Sequence, residues 1–455
     1  MACLQKYSQI LLRTFKWLLY PLSSKIKIMK ANHFKLFLLL AVTSIFSQGC
    51  LKDDCERKLT YTRVEPVYKT LDELHTGTAV VEGPRTLGNT GVLYYYNSKI
   101  YINERGEGIH VIDNADPKNP VNTAFIAIPG NESFAIKNGI LYASSYIDLL
   151  AIDLSSQQVV GRTESVFPPL WEDLANNQVA VSYKETKVTE EVDCDTYSNF
   201  YNRNGEFIDF VGGGMEGDFA LQNASNDNNL SGGTGIGGSM ARFTIVGDYL
   251  YVVDQSSLDV FSLSNPSQPS ATNTVEMGWG IETIFPYQDK LFIGSNAGMY
   301  IFDNSNPSAP NLLSKFEHAR ACDPVFVKDN YAYVTLRSGT ECEGFTNQLD
   351  LIDITNLTSP FLVKTFQMQN PHGLSISGNN LFLCEGAFGL KSFDITDPTT
   401  LGQHLLDHEA NLHAFDAISL NGQQSLLMVI GEDGLYQYNT EDPADLKFLS
   451  KIPTN

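Results

Sequence analysis

The sequence predicts an all-β fold, a β-propeller of four-stranded blades, on three observations. A short apolar strand ending in Asp or a stand-in and followed by Asn/Asp-x-Pro recurs down the chain. Its copies are spaced by about one blade length. Each unit also carries the turn grammar of four short antiparallel strands. The motif reads Ile109-His-Val-Ile-Asp113-Asn-Ala-Asp-Pro117-Lys-Asn-Pro120 and again Met299-Tyr-Ile-Phe-Asp303-Asn-Ser-Asn-Pro307-Ser-Ala-Pro310. Further copies end at Ser262, Asp353, Asp394 and Asn439, and a plainer one without prolines ends at Asp153. Anchored on that position, the spacings are 40, 109, 41, 50, 41 and 45 residues.

Residues 371–407 show the four strands of one unit. His372 to Ile376 is a first strand, Leu381 to Glu385 a second, Leu390 to Asp394 a third and Gly402 to Leu406 a fourth, with turns at Ser377-Gly-Asn-Asn, Gly386 to Gly389 and Ile395 to Pro398. Such a unit buries both faces only when neighbours stack on it, so the units are expected to close into a ring. Seven carry the motif, and the 109-residue gap holds room for one more. Its strands are Gln178 to Tyr183 and a hairpin across Asn202-Arg-Asn-Gly205. Eight blades are favoured, over residues 88–455, with seven as the alternative if the irregular third unit is not a true blade.

The N-terminal region reads as an address. Residues 1–28 are expected to be an upstream extension of the reading frame, with Met29 as the start. Residues 29–49 have the layout of a signal peptide, basic before an apolar run from Leu36 to Phe46 that is too short to span a bilayer. Gly49-Cys50 resembles a bacterial lipobox, which implies lipidation of Cys50. Lys52-Asp53-Asp54 looks like the acidic signal that sends such lipoproteins to the outer face of the outer membrane. Residues 50–87 are then a lipidated tether. The formal net charge of -21 argues against nucleic acid and anionic membrane surfaces as partners, and leaves a cationic ligand or metal easier to accommodate.

The strand cores Ile109 to Asp113 and Leu349 to Asp353, with Arg337-Ser-Gly-Thr, Asn347-Gln-Leu-Asp and Asn370-Pro-His-Gly373, resemble LVIVD repeat proteins, β-propeller lipoproteins common in Bacteroidetes. The resemblance implies a fold and a location, and brings no established activity with it.

The repeated Asp reads as structural, because a carboxylate before Asn/Asp-x-Pro can accept backbone N–H bonds and hold the turn in every unit. A second repeated position carries the functional expectation. Nine residues before the first apolar residue of the second strand stand Glu132, Glu282, Asp323 and His372, and allowing two extra turn residues in the last unit adds Asp416. In a propeller this position opens the innermost strand at one mouth of the central channel. The five residues are therefore expected to form a polar collar, either simply solvated or holding a ligand such as a divalent cation. No cofactor motif accompanies them, since Cys-x-x-Cys and a calcium loop are missing from the sequence.

The insertions Ser338 to Gln348 and Lys184 to Asp195 are expected to overhang the same face. Residues 212–239, rich in Gly, Asn and Ser, read as a flexible linker or a mobile lid. Cys322 and Cys342 fall on one face of one unit and are expected to form a disulfide, whereas Cys384 reads as a small buried residue. No nucleophile motif stands out. The favoured reading is a non-enzymatic binding protein at the cell surface whose channel face engages a glycan, a small ligand or a protein partner. The alternative is a hydrolase or lyase acting on glycans, with the collar carboxylates as acid and base and His372 assisting.

Overall fold

The computed structural model describes residues 56–173, 175–193, 234–317, 324–338, 346–420 and 425–454. Two compact units emerge, residues 62–186 with 211–455, and residues 1–61 with 187–210. Of the smaller unit, 56–61 and 187–193 are described. They are strand segments in which Thr60 Oγ1 and Thr189 Oγ1 lie 3.0 Å apart. No helix among the described residues is long and apolar enough to cross a membrane.

Among the described residues eight sheets are present, the number of units expected from the sequence. Six have four strands in the order expected of a blade, and a seventh is widened to six. The innermost strands of these seven are Thr90–Tyr96, Phe134–Lys137, Phe243–Val246, Ile281–Tyr287, Val325–Lys328, Leu374–Ser377 and Ala414–Leu420. Among the described residues each packs on the next, and the last packs on the first, so that these seven strands close a ring. We number these blades 1 to 7. The irregular third unit makes the eighth sheet, of three strands: Gln178–Asp193 between Trp171–Asp173 and Glu56–Thr70. Blades 2 and 3 pack directly on each other in one core cluster, so the sheet of the third unit, which completes the eight, does not come between them.

The second and third strands of the blades are buried almost throughout, as in Ile140–Ser145 and Leu426–Gly431, because neighbouring blades cover both of their faces. This explains why they read as continuous apolar runs rather than alternating ones. The fourth strands alternate, as in Ser270–Glu276, because only one of their faces meets a neighbour. In blade 6 the fourth strand is Leu405–Glu409, later than expected, because residues Pro398–Gln403 form a 3-10 turn capped by Asp397.

The repeated Asp acts as the sequence suggests. Asp113, Asp153, Asp303, Asp353 and Asp394 each accept a hydrogen bond from the backbone N–H two residues on, and Asn439 and Ser262 do the same. The prolines add a role that the repeat alone does not reveal. Their carbonyls accept hydrogen bonds from the preceding blade: Tyr142 to Pro266 (3.1 Å), Tyr251 to Pro307 (2.8 Å), Ser392 to Pro443 (2.5 Å) and Ser450 to Pro117 (2.7 Å). The last of these closes the ring. Asn114 and Gln437 reinforce it with a reciprocal amide pair at 2.9 and 2.8 Å.

The region expected to be a tether folds in part. Thr70 and Glu73 form a capping box that starts a helix, α1 (Leu71–Thr76). His75 of that helix and Arg162 both contact the buried Asp148 carboxylate of blade 2. Val80–Glu82 then joins the outer edge of blade 1.

Candidate functional site

Successive strands of a blade run in opposite directions, so the connections from second to third strand and from blade to blade open on one face. The hairpin turns and the Asp turns open on the other. The predicted collar belongs to the first face, which we call the channel face.

Strand pairing fixes which side chains reach it. Glu132, Glu282 and His372 each lie five residues before the last paired residue of the inner strand, at Lys137, Tyr287 and Ser377. In blade 7 the last pair is Leu420↔Leu426, so the same place is held by Phe415, and Asp416 is one residue out of register. The turn of that blade spans 421–425 where others span two residues, so the insertion is three residues and not two. Glu282 and Phe415 both sit where the pairing slips between flanking residues, a bulge that re-aims a side chain. Asp323 lies outside the described residues, as do Cys50, Cys322 and Cys342.

The structure brings Glu132 and Glu282 together around a residue that the repeat pattern does not highlight, Arg242. Its guanidinium is held below the usual arginine range by burial, against the pull of Asp254, Glu132 and Glu282. Its Nε makes no hydrogen bond among the described residues. Glu132 keeps surface open to water but has protein on most sides. This enclosure raises its pKa, opposed by the positive charges of Arg105 and Arg242. The collar is therefore a mixed-charge cluster. The chain itself supplies the cation that the acidic register suggested.

His372 and Asp416 belong to a separate group. His372 is 6% exposed, and burial, with Arg337 and His413 nearby, holds its pKa well below the usual histidine range, so the ring is neutral at physiological pH. Its Nε2 lies 3.2 Å from Asn370 Nδ2, and its ring centroid lies 5.4 Å from that of Phe415. Asp416 is 2% exposed and accepts a 3.1 Å hydrogen bond from Ser239. Among the described residues no group of three or more His, Cys, Asp or Glu side chains is placed to hold a metal ion.

Ser239 points to the largest departure from expectation. Residues 212–239 read as a linker or lid, but the described part of that segment is packed inside the ring. Ile236–Gly237 pairs antiparallel with Tyr94 and Tyr95 of blade 1, Gly235 N–H donates to Ile136 of blade 2, and Ser239 Oγ accepts from Leu374 N–H of blade 6. Residues 234–241 thus climb the channel from the turn face to the channel face, and Arg242 emerges beside Glu132 and Glu282. The small residues are a steric requirement here: a Cβ on Gly235 would stand 2.1 Å from the Tyr94 ring. Residues 184–193, expected to be an overhanging insertion, instead continue the strand Gln178–Asp193. The Ser338 to Gln348 insertion is clamped at its base by Ser338 and Asn347, with its interior outside the described residues.

The channel face also carries an exposed indole that the repeat reading passed over. Trp279, in the connection from blade 3 to blade 4, is 67% exposed. Trp171, on the excursion that leaves blade 2, is exposed to the same degree. The signal in the sequence was Gly278-Trp-Gly280, an aromatic between two glycines just upstream of Glu282.

A family model described as the LVIVD repeat matches residues 237–276, 288–317 and 319–367. No match was found among curated proteins. Similar solved structures include a protein from Lactobacillus plantarum, 12% identical, covering 83% of this chain and 96% of its own, with a TM-score of 0.49. BamB from Moraxella catarrhalis is 7% identical over 82% of this chain and 97% of its own, with a TM-score of 0.45. Hsv2 from Kluyveromyces lactis is 10% identical over 80% and 98%, with a TM-score of 0.44.

Proposed function

For this β-propeller, which carries LVIVD repeats, we propose a non-enzymatic binding role exercised through the channel face. The observation that carries it is Trp279, a large apolar side chain kept 67% exposed on the channel face three residues before Glu282. A hydrolase or lyase would need two carboxylates facing an open cleft. Glu132 and Glu282 instead share Arg242, and the channel beneath them is filled by residues 234–241. That arrangement favours recognition over proton transfer.

The ligand is a glycan, a small molecule or a protein partner met outside the cell. In this reading Cys50 carries lipid, the outer membrane holds the chain, and the propeller faces outward. Replacing Cys50 by Ser should release the protein into soluble fractions, and unchanged membrane association would contradict the anchor. The binding role is tested by thermal-shift screening of the full chain against glycans, peptides and divalent cations, with product analysis of each hit. A ligand of the folded state raises the midpoint. A hit recovered intact supports the proposal, and steady turnover of it would overturn the non-enzymatic part.

A further inference from the structure

We infer that Trp279, Asn296 and Gln255 form a subsite for a neutral pyranose unit of a polysaccharide. This rests on the binding role proposed above and names its ligand class. Three adjacent connections on the channel face build the subsite: Gln255 between the second and third strands of blade 3, Trp279 between blades 3 and 4, and Asn296 between the second and third strands of blade 4.

The backbone around Trp279 is pinned on both sides. Met277 N–H donates to Ser256 (2.9 Å), Gly280 and Ile281 N–H both donate to the Gln255 carbonyl (2.8 and 3.1 Å), and Asn296 N–H donates to Gly280 (2.8 Å). Tyr300 adds a 3.1 Å hydrogen bond to the Met277 carbonyl. Gly278 and Gly280 take φ values of +89° and +92°, a left-handed pair that glycine alone adopts readily, and together they hold the intervening indole outward. An exposed tryptophan on a mobile loop would be unremarked surface. One on a pinned backbone is an apolar platform whose ordering is already complete before a ligand arrives.

The second observation is polar. The half-buried carboxamides of Asn296 and Gln255 make no side-chain hydrogen bond among the described residues, although most such groups find a partner. The Asn296 amide lies against Gly280, so close that a Cβ there would stand 2.4 Å from it, which sets it against the residue that follows Trp279. A flat apolar face flanked by groups that both donate and accept fits the C–H face and adjacent hydroxyls of a sugar ring. The net charge of -21 disfavours polyanionic glycans, so the class is neutral.

The test is affinity electrophoresis of the full chain through gels containing laminarin, xyloglucan or galactomannan, with polygalacturonate as the charged control. At least one neutral gel should retard the wild type. Trp279→Ala should weaken that retardation about tenfold, Trp279→Phe should keep most of it, and Asn296→Ala should cost less than Trp279→Ala. The unfolding midpoint should be unchanged in all three variants. Retardation that Trp279→Ala leaves intact would overturn the subsite while leaving a binding role standing. Retardation by polygalacturonate alone, or by no gel, would overturn the neutral class, and a peptide or cation hit in the thermal-shift screen would still support the broader role.

Discussion

The two faces of the ring are built on opposite rules. On the turn face every blade repeats one solution: a side-chain oxygen accepts the N–H two residues on, and in four cases a proline carbonyl then receives a bond from the preceding blade. On the channel face hardly any position repeats. The place that carries Glu132 and Glu282 carries His372 and Phe415 elsewhere, and the segment ending at Arg242 fills the axis. Repetition on one face reflects a stability need that every blade shares. Its loss on the other marks where the chain is free to specialise.

The sharpest way to break this contrast is through the axis. If the channel were an open pore, a larger residue at Gly235 would be harmless and the faces would communicate through water. With the segment packed on Tyr94, Gly235→Val should destabilise the protein by about 3 kcal/mol, the upper range for overpacking a core, measured by urea unfolding. A midpoint equal to wild type would remove the filled channel from the account.

Next in size is a crossed pair of substitutions. Asp353→Ala deletes the acceptor for Thr355 N–H at 2.8 Å and should cost about 1 kcal/mol of stability without touching ligand binding. Trp279→Ala should do the reverse, changing stability by less than about 0.5 kcal/mol while weakening binding. Calorimetric unfolding of both variants, with the binding assay alongside, checks the pair.

The turn face was readable because its signal is local. An Asp two residues before the N–H that it accepts needs no knowledge of the rest of the fold. Glu132, Glu282 and His372 share one register position in the structure, since a constant offset within one hairpin fixes them. Asp416 slipped because turn length decides register, and one miscounted residue moves a side chain to the next position. Residues 234–241 were unreadable for a different reason. Small residues satisfy a flexible linker and a tightly packed axial strand equally well, and only the distant partners Tyr94 and Leu374 distinguish the two. Arg242 stands one residue past the register position, which Ala241 holds in blade 3, so the repeat does not single it out. The eight units counted in the sequence correspond to eight sheets, but strand spacing cannot reveal that the third sheet stands outside the succession of inner strands.

The smallest expected effect is a difference in pH dependence between the faces. The Asp303 carboxyl is held below its usual range by hydrogen bonds from Lys290 and Ser305. Its ionised form therefore stabilises the fold above the unfolded pKa, and that contribution fades as pH falls through the lower folded value. Asp303→Asn should weaken the protein at neutral pH and match wild type in acid. Glu132 is shifted upward by burial, so wild type loses stability as pH rises from the unfolded value through the folded one. Relative to wild type, Glu132→Gln should gain with rising pH across that window. Urea midpoints from acid to neutral pH read both slopes, and slopes of the same sign would contradict the assignment.

The central claim is that ligands meet the channel face and leave the turn face untouched. Hydrogen exchange on the full chain, with and without the glycan that gives the largest thermal shift, tests it most directly. Added protection should fall on residues 254–256, 278–282 and 295–297, and the amides two residues after Asp113, Asp303 and Asp353 should exchange as before. Protection centred on those turn amides, with 278–282 unchanged, would contradict the account.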